Sequence, residues 1–257
     1  DGLGDTVRVS LTEEPEYEAP VAKALVDRYI GRHPHAPIPP LGTLPKDPFA
    51  FSRRETHEVA NFGNSNVPRV IADVSKLKTG DYKDLKAVGH FYLPELDKWK
   101  MNDLGADYLY AGQDTVPFML PNGLKQILHY ETWQDLDDQV HAIPVFSKEE
   151  YLAPHSTHES LNFIRVNTDE WDQELFDAIE QDKKLVLWLH TDNAHAMPAL
   201  RRVLFELMIR ELHHPVIIDR GFEDLPKDKL QLYAATDMGG LLIDGLGDGV
   251  ILSTEKV

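Results

Sequence analysis

The chain has 257 residues, of which 26 are basic and 43 acidic, for a formal charge of −17. That balance argues against nucleic acid or an anionic membrane surface as partner, and the length fits one large α/β domain or a domain plus a fragment of another. There is no cysteine, so the chain supplies no disulfide, thiolate nucleophile or cysteine-held cluster, and no apolar run approaches the roughly 20 residues of a membrane helix.

Residues Thr6 to Leu11 alternate with period two, Thr6, Arg8 and Ser10 on one face and Val7, Val9 and Leu11 on the other, which predicts a strand. A helix is predicted from about Pro15 to Ile30, with Val21, Leu25 and Tyr29 on one stripe; Pro15 suits a first turn, while Pro20 is less comfortable and shifts the expected start. Prolines at 34, 37, 39, 40, 45 and 48 then forbid helix and resist pairing, so residues 31–50 read as a stiff connector and domain boundary. The chain opens directly on a strand-like motif, lacks an initiator Met and carries no signal or transit segment. It therefore reads as a piece of a longer polypeptide.

After the connector, strand and helix alternate. Predicted strands are Arg69–Asp73, Ala106–Ala111, Lys125–His129, His141–Val145, Leu161–Val166, Leu185–His190, Val216–Asp219, Gly240–Ile243 and Gly249–Ser253, with Arg54–Val59 as a possible entry strand. A helix is expected over Thr168–Asp182, capped by Asn167 or Thr168. Another is expected over Ala194–Leu212, whose Met197, Leu200, Val203, Leu204, Leu207 and Met208 form a core stripe. Short, apolar strands between amphipathic helices point to a parallel sheet covered on both faces. About eight of them predict an α/β fold of the TIM-like (β/α)8 barrel type. A doubly wound open sheet is the alternative, weakened by the lack of a Gly-x-Gly-x-x-Gly turn before any helix.

One repeat cuts across this order. Residues 1–10, DGLGDTVRVS, align with residues 244–253, DGLGDGVILS, with seven of the ten positions identical. Two copies of one supersecondary unit are implied. The copies differ where it matters chemically: Arg8 faces Ile251 in the alignment. The Gly-Leu-Gly-Asp turns read better as tight entries into a strand than as phosphate loops.

The stretch Asp1 to Thr12, followed by Glu13-Glu14-Pro15, resembles a signature of the 4-hydroxy-3-methylbut-2-enyl diphosphate synthases. The blocks 49–56 (FAFSRRET), 66–73 (NVPRVIAD) and 240–253 resemble, in order, the extra domain of the large, three-domain members of that family. The resemblance spans essentially the whole chain. It implies that residues 1–30 are the last βα unit of an N-terminal catalytic barrel, 31–50 a connector and 51–257 an inserted TIM-like barrel. It further implies a parent enzyme that reductively opens methylerythritol cyclodiphosphate in isoprenoid biosynthesis. That parent would be a cytoplasmic bacterial protein with a 4Fe-4S cluster, fed by ferredoxin or flavodoxin. The partners of the insert would be the iron–sulfur domain and N-terminal barrel of the same polypeptide. The family's cluster cysteines are absent here, so no cofactor is expected in this chain. The insert is expected to act as a non-catalytic scaffold.

Arg8 and Ser10, two apart on the predicted strand, share a face. An arginine fork beside a hydroxyl suits a diphosphate, and last-strand ends of such barrels often form phosphate sites. The resemblance assigns both to the substrate diphosphate of the parent enzyme. Ile251, in the second copy, is expected at a barrel mouth with Ser253 and Glu255, where it pairs with no phosphate.

Twelve histidines invite metal hypotheses, yet none falls in a helical His-x-x-x-His or His-Glu-x-x-His pattern. His190, with Asp192 and Asp219, is the set most plausibly gathered at one mouth, with His195 nearby. Asp73, His190 and Asp219 also read as acid–base groups of a relict active site. Hydrogen-bonded strand-end residues are the simpler reading, and no metal site is expected. An independent barrel enzyme or metal-binding domain around His190 and Asp219 is the alternative function. The pairs His155/His158 and His213/His214 carry no ligand spacing, and the acidic stretches Asp135–Asp138 and Glu223–Asp228 read as solvated loops.

Overall fold

The computed structural model describes residues 4–10, 12, 14–30, 35–76 and 80–254; Leu11, part of the connector at 31–34, and Glu255 lie outside the described residues. Helix α1 (Pro15–Tyr29) is followed by the proline-rich connector and then by strands β1 (Arg69–Asp73), β2 (His90–Leu93), β3 (Lys98–Met101), β4 (Tyr108–Gly112), β5 (Lys125–His129), β6 (Ala142–Phe146), β7 (Asn162–Asn167), β8 (Leu185–His190), β9 (Val216–Phe222) and β10 (Gly249–Thr254). Between and after them lie α2 (Tyr130–Gln134), α3 (Lys148–Leu152), α4 (Gln173–Ile179), α5 (Ala196–Ile209), α6 (Lys227–Ala234) and α7 (Gly240–Ile243).

Eight of the strands, all parallel, close into a barrel in the order β1-β10-β9-β8-β7-β6-β5-β4, with β4 returning to β1. The remaining two, β2 and β3, form an antiparallel hairpin inserted between β1 and β4. The barrel architecture is as the alternation of the sequence predicts.

Side chains alternate along each strand, so every second residue enters the lumen. Ile71, Ile127, Ile143, Phe163, Trp188 and Ile251 fill it. The other parity faces the helix layer, where Leu200, Val203, Leu204 and Leu207 of α5 are buried, while Met197 and Met208 flank them half-buried. The α5 stripe is therefore core, as expected.

Several predicted elements are corrected. Gly240–Ile243 is helix α7, not a strand. Its Gly-Leu-Leu-Ile run is apolar enough for either, but a 5-residue π-helical turn, Ala235–Gly239, joins it to α6 as one helix. The Thr168–Asp182 helix is confined to Gln173–Ile179, and its cap is Asp172, which accepts from the Leu175 amide at 3.0 Å. Asn167 ends β7 instead. Helix α1 does start at Pro15 and runs through Pro20, at the loss of one intrahelical bond.

The expected entry strand Arg54–Val59 is not a strand. It is the first arm of a plug whose Val59 bridges Phe62 and closes the lower end of the lumen. Phe62 is fully buried, 5.1 Å from the Tyr108 ring and 5.6 Å from that of Phe163. Arg54 anchors this plug by donating to the carbonyls of His214 (2.8 Å) and Leu212 (2.6 Å); burial lowers its pKa to about 10.

The second copy of the repeat is a structural joint. Gly245 takes the left-handed conformation (φ 71°) that turns the chain out of α7, and its carbonyl accepts from the Arg54 amide. Asp248 is buried, accepts from the Val216 amide at 3.0 Å and pairs with Arg53 at 3.1 Å, which ties the start of β10 to the start of β9. The first copy has no such role here. Residues 6–10 form no strand, and Asp5 and Val7 are exposed. The sequence pattern was that of a strand, but a strand exists only with a neighbour to pair with.

Two substitutions separate these copies. Asp248→Ala should lower unfolding stability by roughly 3–5 kcal/mol, the usual range for breaking a buried ion pair. Asp5→Ala should leave the urea midpoint of the same chain unchanged. Chemical denaturation of both variants checks the pair; equal effects would remove the distinction.

Candidate functional site

The carboxyl ends of the barrel strands form the mouth, the usual place for chemistry in this fold. Asp73 ends β1, His129 ends β5 and His190 ends β8; Asp219 of β9 is level with His190 in register, and Arg165 of β7 lies one layer deeper beside Trp188. The structure thus gathers Asp73, His190 and Asp219 as expected. It also adds Tyr110, His129, Arg165 and Trp188, which the sequence reading did not single out.

These groups are largely occupied with one another. Asp219 is buried, and one of its carboxylate oxygens accepts from Trp188 Nε1 at 2.8 Å and from Arg165 at 3.1 Å. The Tyr110 hydroxyl is hydrogen-bonded to His129 Nε2 at 2.6 Å, and burial raises the Tyr110 pKa. Asp73 accepts from the hydroxyl and amide of Ser75, at 2.6 and 3.0 Å. His190 has a lowered pKa, first from burial and then from the Arg165 cation, so it is neutral near pH 7. The mouth has acid–base groups but no cysteine, and its carboxylates are spoken for by neighbouring donors.

No three His, Asp or Glu side chains among the described residues converge as a metal site, so His190, Asp192 and Asp219 are not a ligand set. Asp192 instead accepts from Asn167 Nδ2 at 2.7 Å, and His195 stacks edge-on with His35 at 5.2 Å. The depression beside β1 and β10, lined by Asp73, Lys76 and Ser253, is only about 160 Å³. That is below the roughly 300–1,000 Å³ of typical ligand sites. Two larger grooves lie elsewhere. One of about 810 Å³ is lined by the β2–β3 hairpin and residues 118–122, and one of about 510 Å³ by residues 36–39, α4 and α5.

Ile251 is not at the rim. It lies in the lumen opposite Ile71 of β1 and Asp219 of β9, 1% exposed, and Ser253 is the residue that reaches the mouth. Arg8 and Ser10 are exposed on the segment before α1 and belong to none of the barrel strands.

His158, His213 and His214 lie at the opposite end of the strands, before β7 and β9, and His155 lies in the helix layer. His158 precedes β7, and its Nδ1 faces the amides of Ser160 and Leu161 at 3.3 and 3.4 Å. His155 packs on Phe146 and Tyr151, at 4.9 and 5.0 Å. His213 faces the Glu55 carbonyl at 3.1 Å, and His214 faces the Asp182 carbonyl at 2.9 Å. Most of the acidic stretches Asp135–Asp138 and Glu223–Asp228 is exposed, as expected of solvated segments, but Lys227 and Asp228 open α6 rather than a loop.

Over 255 residues the chain is 32% identical to the 4-hydroxy-3-methylbut-2-en-1-yl diphosphate synthase (flavodoxin) of Parabacteroides distasonis, covering 99% of this chain and 38% of that protein. The Phocaeicola vulgatus protein of the same name is 31% identical over the same shares. The chain is a relative of these synthases. The chloroplastic synthase (ferredoxin) of Arabidopsis thaliana also aligns, at 27% identity over 98% of this chain and 37% of its own length. The chain thus spans well under half the length of the curated relatives it matches. No family model matches it. The resemblance read from the Asp1–Pro15 signature and the blocks at 49–56, 66–73 and 240–253 agrees with these relationships.

Two of the missed mouth residues carried a signal. His129 ends a predicted strand just as Asp73 and His190 do. Arg165 is a lone cation inside the apolar run Leu161–Val166. Tyr110 and Trp188 carried none, because an aromatic in an apolar strand reads as core.

The buried histidines predict a pH dependence. Burial holds His214 down to about 4 from an ordinary 6.5, and His57, His158 and His190 are lowered for the same leading cause. The unfolded chain takes up protons below about pH 6.5 while folded His214 resists until about 4. Stability should therefore be full above that window and fall as the pH drops through it, by on the order of 2–4 kcal/mol from His214. His214→Gln, which keeps a donor for the Asp182 carbonyl, should flatten the slope in urea denaturation between pH 7.5 and 4.5. An unchanged slope would move the effect to other groups.

Proposed function

We propose that this chain is a segment of a three-domain 4-hydroxy-3-methylbut-2-enyl diphosphate synthase, an oxidoreductase of isoprenoid biosynthesis. In this reading residues 1–30 are the last βα unit of the catalytic barrel, 31–50 the connector, and 51–257 an inserted barrel. The insert holds the iron–sulfur domain over the catalytic barrel and is itself non-catalytic. The observation that carries the scaffold role is the occupied barrel. Ile251 fills the lumen position aligned with Arg8, and Asp219 and Tyr110 at the mouth are engaged by Trp188, Arg165 and His129.

A 4Fe-4S cluster does not fit the donor set of this chain, which has no cysteine. The cluster belongs, in this proposal, to sequence outside it. The names of the relatives, which specify flavodoxin or ferredoxin, support one of these as the electron donor of the whole enzyme, a cytoplasmic protein in bacteria.

The substrate-facing chemistry that this chain contributes is then Arg8 and Ser10. The lumen position of Ile251 and the rim position of Ser253, their counterparts in the repeat, support a lumen place for Arg8 and a rim place for Ser10 in a barrel of their own. From there the guanidinium reaches up to a diphosphate that the hydroxyl meets at the mouth. Arg8 holds and orients the anion with charge-assisted hydrogen bonds.

Kinetics of the full-length synthase test both halves. Arg8→Ile should cost charge-assisted bonds worth about 1.5–3 kcal/mol, roughly one to two decades in kcat/KM, with little change in melting temperature. Ser10→Ala should move in the same direction by less, and Ile251→Arg should rescue nothing. His190→Gln should leave kcat/KM near wild type. A folded His190→Gln enzyme with a loss comparable to that of Arg8→Ile would replace the scaffold by a second catalytic mouth.

A further inference from the structure

Helix α1 has no fully buried residue, yet it is held on the barrel at a defined place. Its anchor is Arg28. The guanidinium pairs with Asp237 Oδ1 at 2.5 Å and donates through Nε to Thr236 Oγ1 at 2.8 Å. It lies 3.8 Å from the centroid of the Tyr233 ring. Asp237 is completely buried, and its other oxygen is held by Arg220 of β9 at 3.2 Å. Arg220 in turn donates to the Thr191 carbonyl beyond β8 at 2.5 Å. One carboxylate thus joins α1, the helix after β9 and the ends of two barrel strands.

The backbone around Asp237 has an unusual shape. Residues Ala235–Gly239 form the π-helical turn between α6 and α7. Such a turn carries one residue more than an α-helical turn and re-aims its side chains, and it is found often at functional positions. Here Thr236 and Asp237, at consecutive positions, meet Nε and the terminal nitrogen of the same arginine. That is a two-point receptor for a planar fork, which a lysine does not match. The connector that follows α1 is strapped down as well. Asn193 donates to the Ala36 carbonyl at 2.9 Å and Arg202 to that of Pro39 at 3.0 Å.

The other side of α1 is open. Val26 and Ile30, roughly opposite Arg28 around the helix, are 41% and 69% exposed, and Val7 ahead of the helix is 45% exposed. The counterpart of Val7 in the repeat, Val250, packs against the core of the barrel.

We infer that the π-helical turn of the barrel is a receptor for Arg28, and that this lock sets the attitude of α1 on the barrel. The free apolar side of the unit is thereby presented to the βα layer that completes its own barrel. Resting on the proposed domain reading, that layer is the synthase sequence lying outside this chain. The inference adds a rigid joint: the two barrels are coupled by a side-chain lock rather than strung on a connector.

Hydrogen exchange on the 257-residue chain reads this directly. The α1 amides should be protected in the wild type. Arg28→Met, which keeps an apolar stem over Tyr233 and leaves Asp237 with Arg220, should speed α1 exchange roughly ten- to hundredfold, as loss of charge-assisted bonds would. Exchange in the barrel strands should not change. Arg28→Lys should fall between the two. Asp237→Asn should release α1 and also loosen the end of β9, because Arg220 loses its partner. Unchanged α1 exchange in Arg28→Met, or an increase shared equally by the barrel strands, would overturn the lock. The domain reading stands or falls separately, by deleting residues 51–257 from the synthase. An active deletion enzyme would end the scaffold role while leaving the lock intact.

Discussion

A barrel has no edge, so its last strand must pair on both sides at once. Here β10 lies between β9 and β1, and everything at the lower end of the molecule serves that closure. Asp248 pins the start of β10 to the start of β9, while Gly249 allows the close approach: a Cβ there would sit 2.6 Å from Ile217 and 3.0 Å from the Arg69 carbonyl. Arg53 meets the same carboxylate, and Arg54 holds the plug that carries Phe62 under the lumen. Closure, plug and lumen are one packing problem.

The repeat shows the same constraint in reverse. Residues 6–10 share the alternation of β10 and follow the same five residues, yet they form no strand. The backbone donors and acceptors of a strand must be met, and residues 6–10 pair with none of the described strands. Local sequence therefore sets the readiness to be a strand, and tertiary partners decide whether it becomes one. This is why the alternation of residues 6–10 was legible while their lack of pairing was not.

The barrel itself was legible because parallel strands buried on both faces leave compact apolar runs between amphipathic helices. Lys125–His129 and Leu185–His190 were read to the residue. Gly240–Ile243 failed because four apolar residues carry no period, and the π-helical turn that binds them to α6 has no sequence signature. The hairpin Leu93–Lys98 connects two strands of mixed charge and aromatic content, Phe91 and Tyr92 against Trp99 and Lys100, and such a pattern reads as loop. At the mouth, strand-end polarity found Asp73, His190 and Asp219. Contacts that depend on neighbouring strands, such as Tyr110 with His129, were invisible to any reading along one strand at a time.

Of the three differences between the copies, Arg8 against Ile251 gains its meaning from depth. Ile251 is not a rim residue that lost a charge; it is a lumen residue, flanked by Ile71 on one side and by the Asp219 position on the other. An arginine placed there in a closed barrel cannot be solvated from below, where a plug such as Phe62 shuts the lumen, and so must extend toward the mouth and find an anion. An isoleucine needs no such partner and contributes packing alone. In this barrel that leaves Asp219 to be satisfied by Trp188 and by Arg165, which approaches from β7 rather than from β10. The cation here sits on β7 and neutralises a carboxylate of the protein. A mouth whose arginine is already paired with a carboxylate of the protein is poor at capturing an anion but well suited to holding its own strands in place.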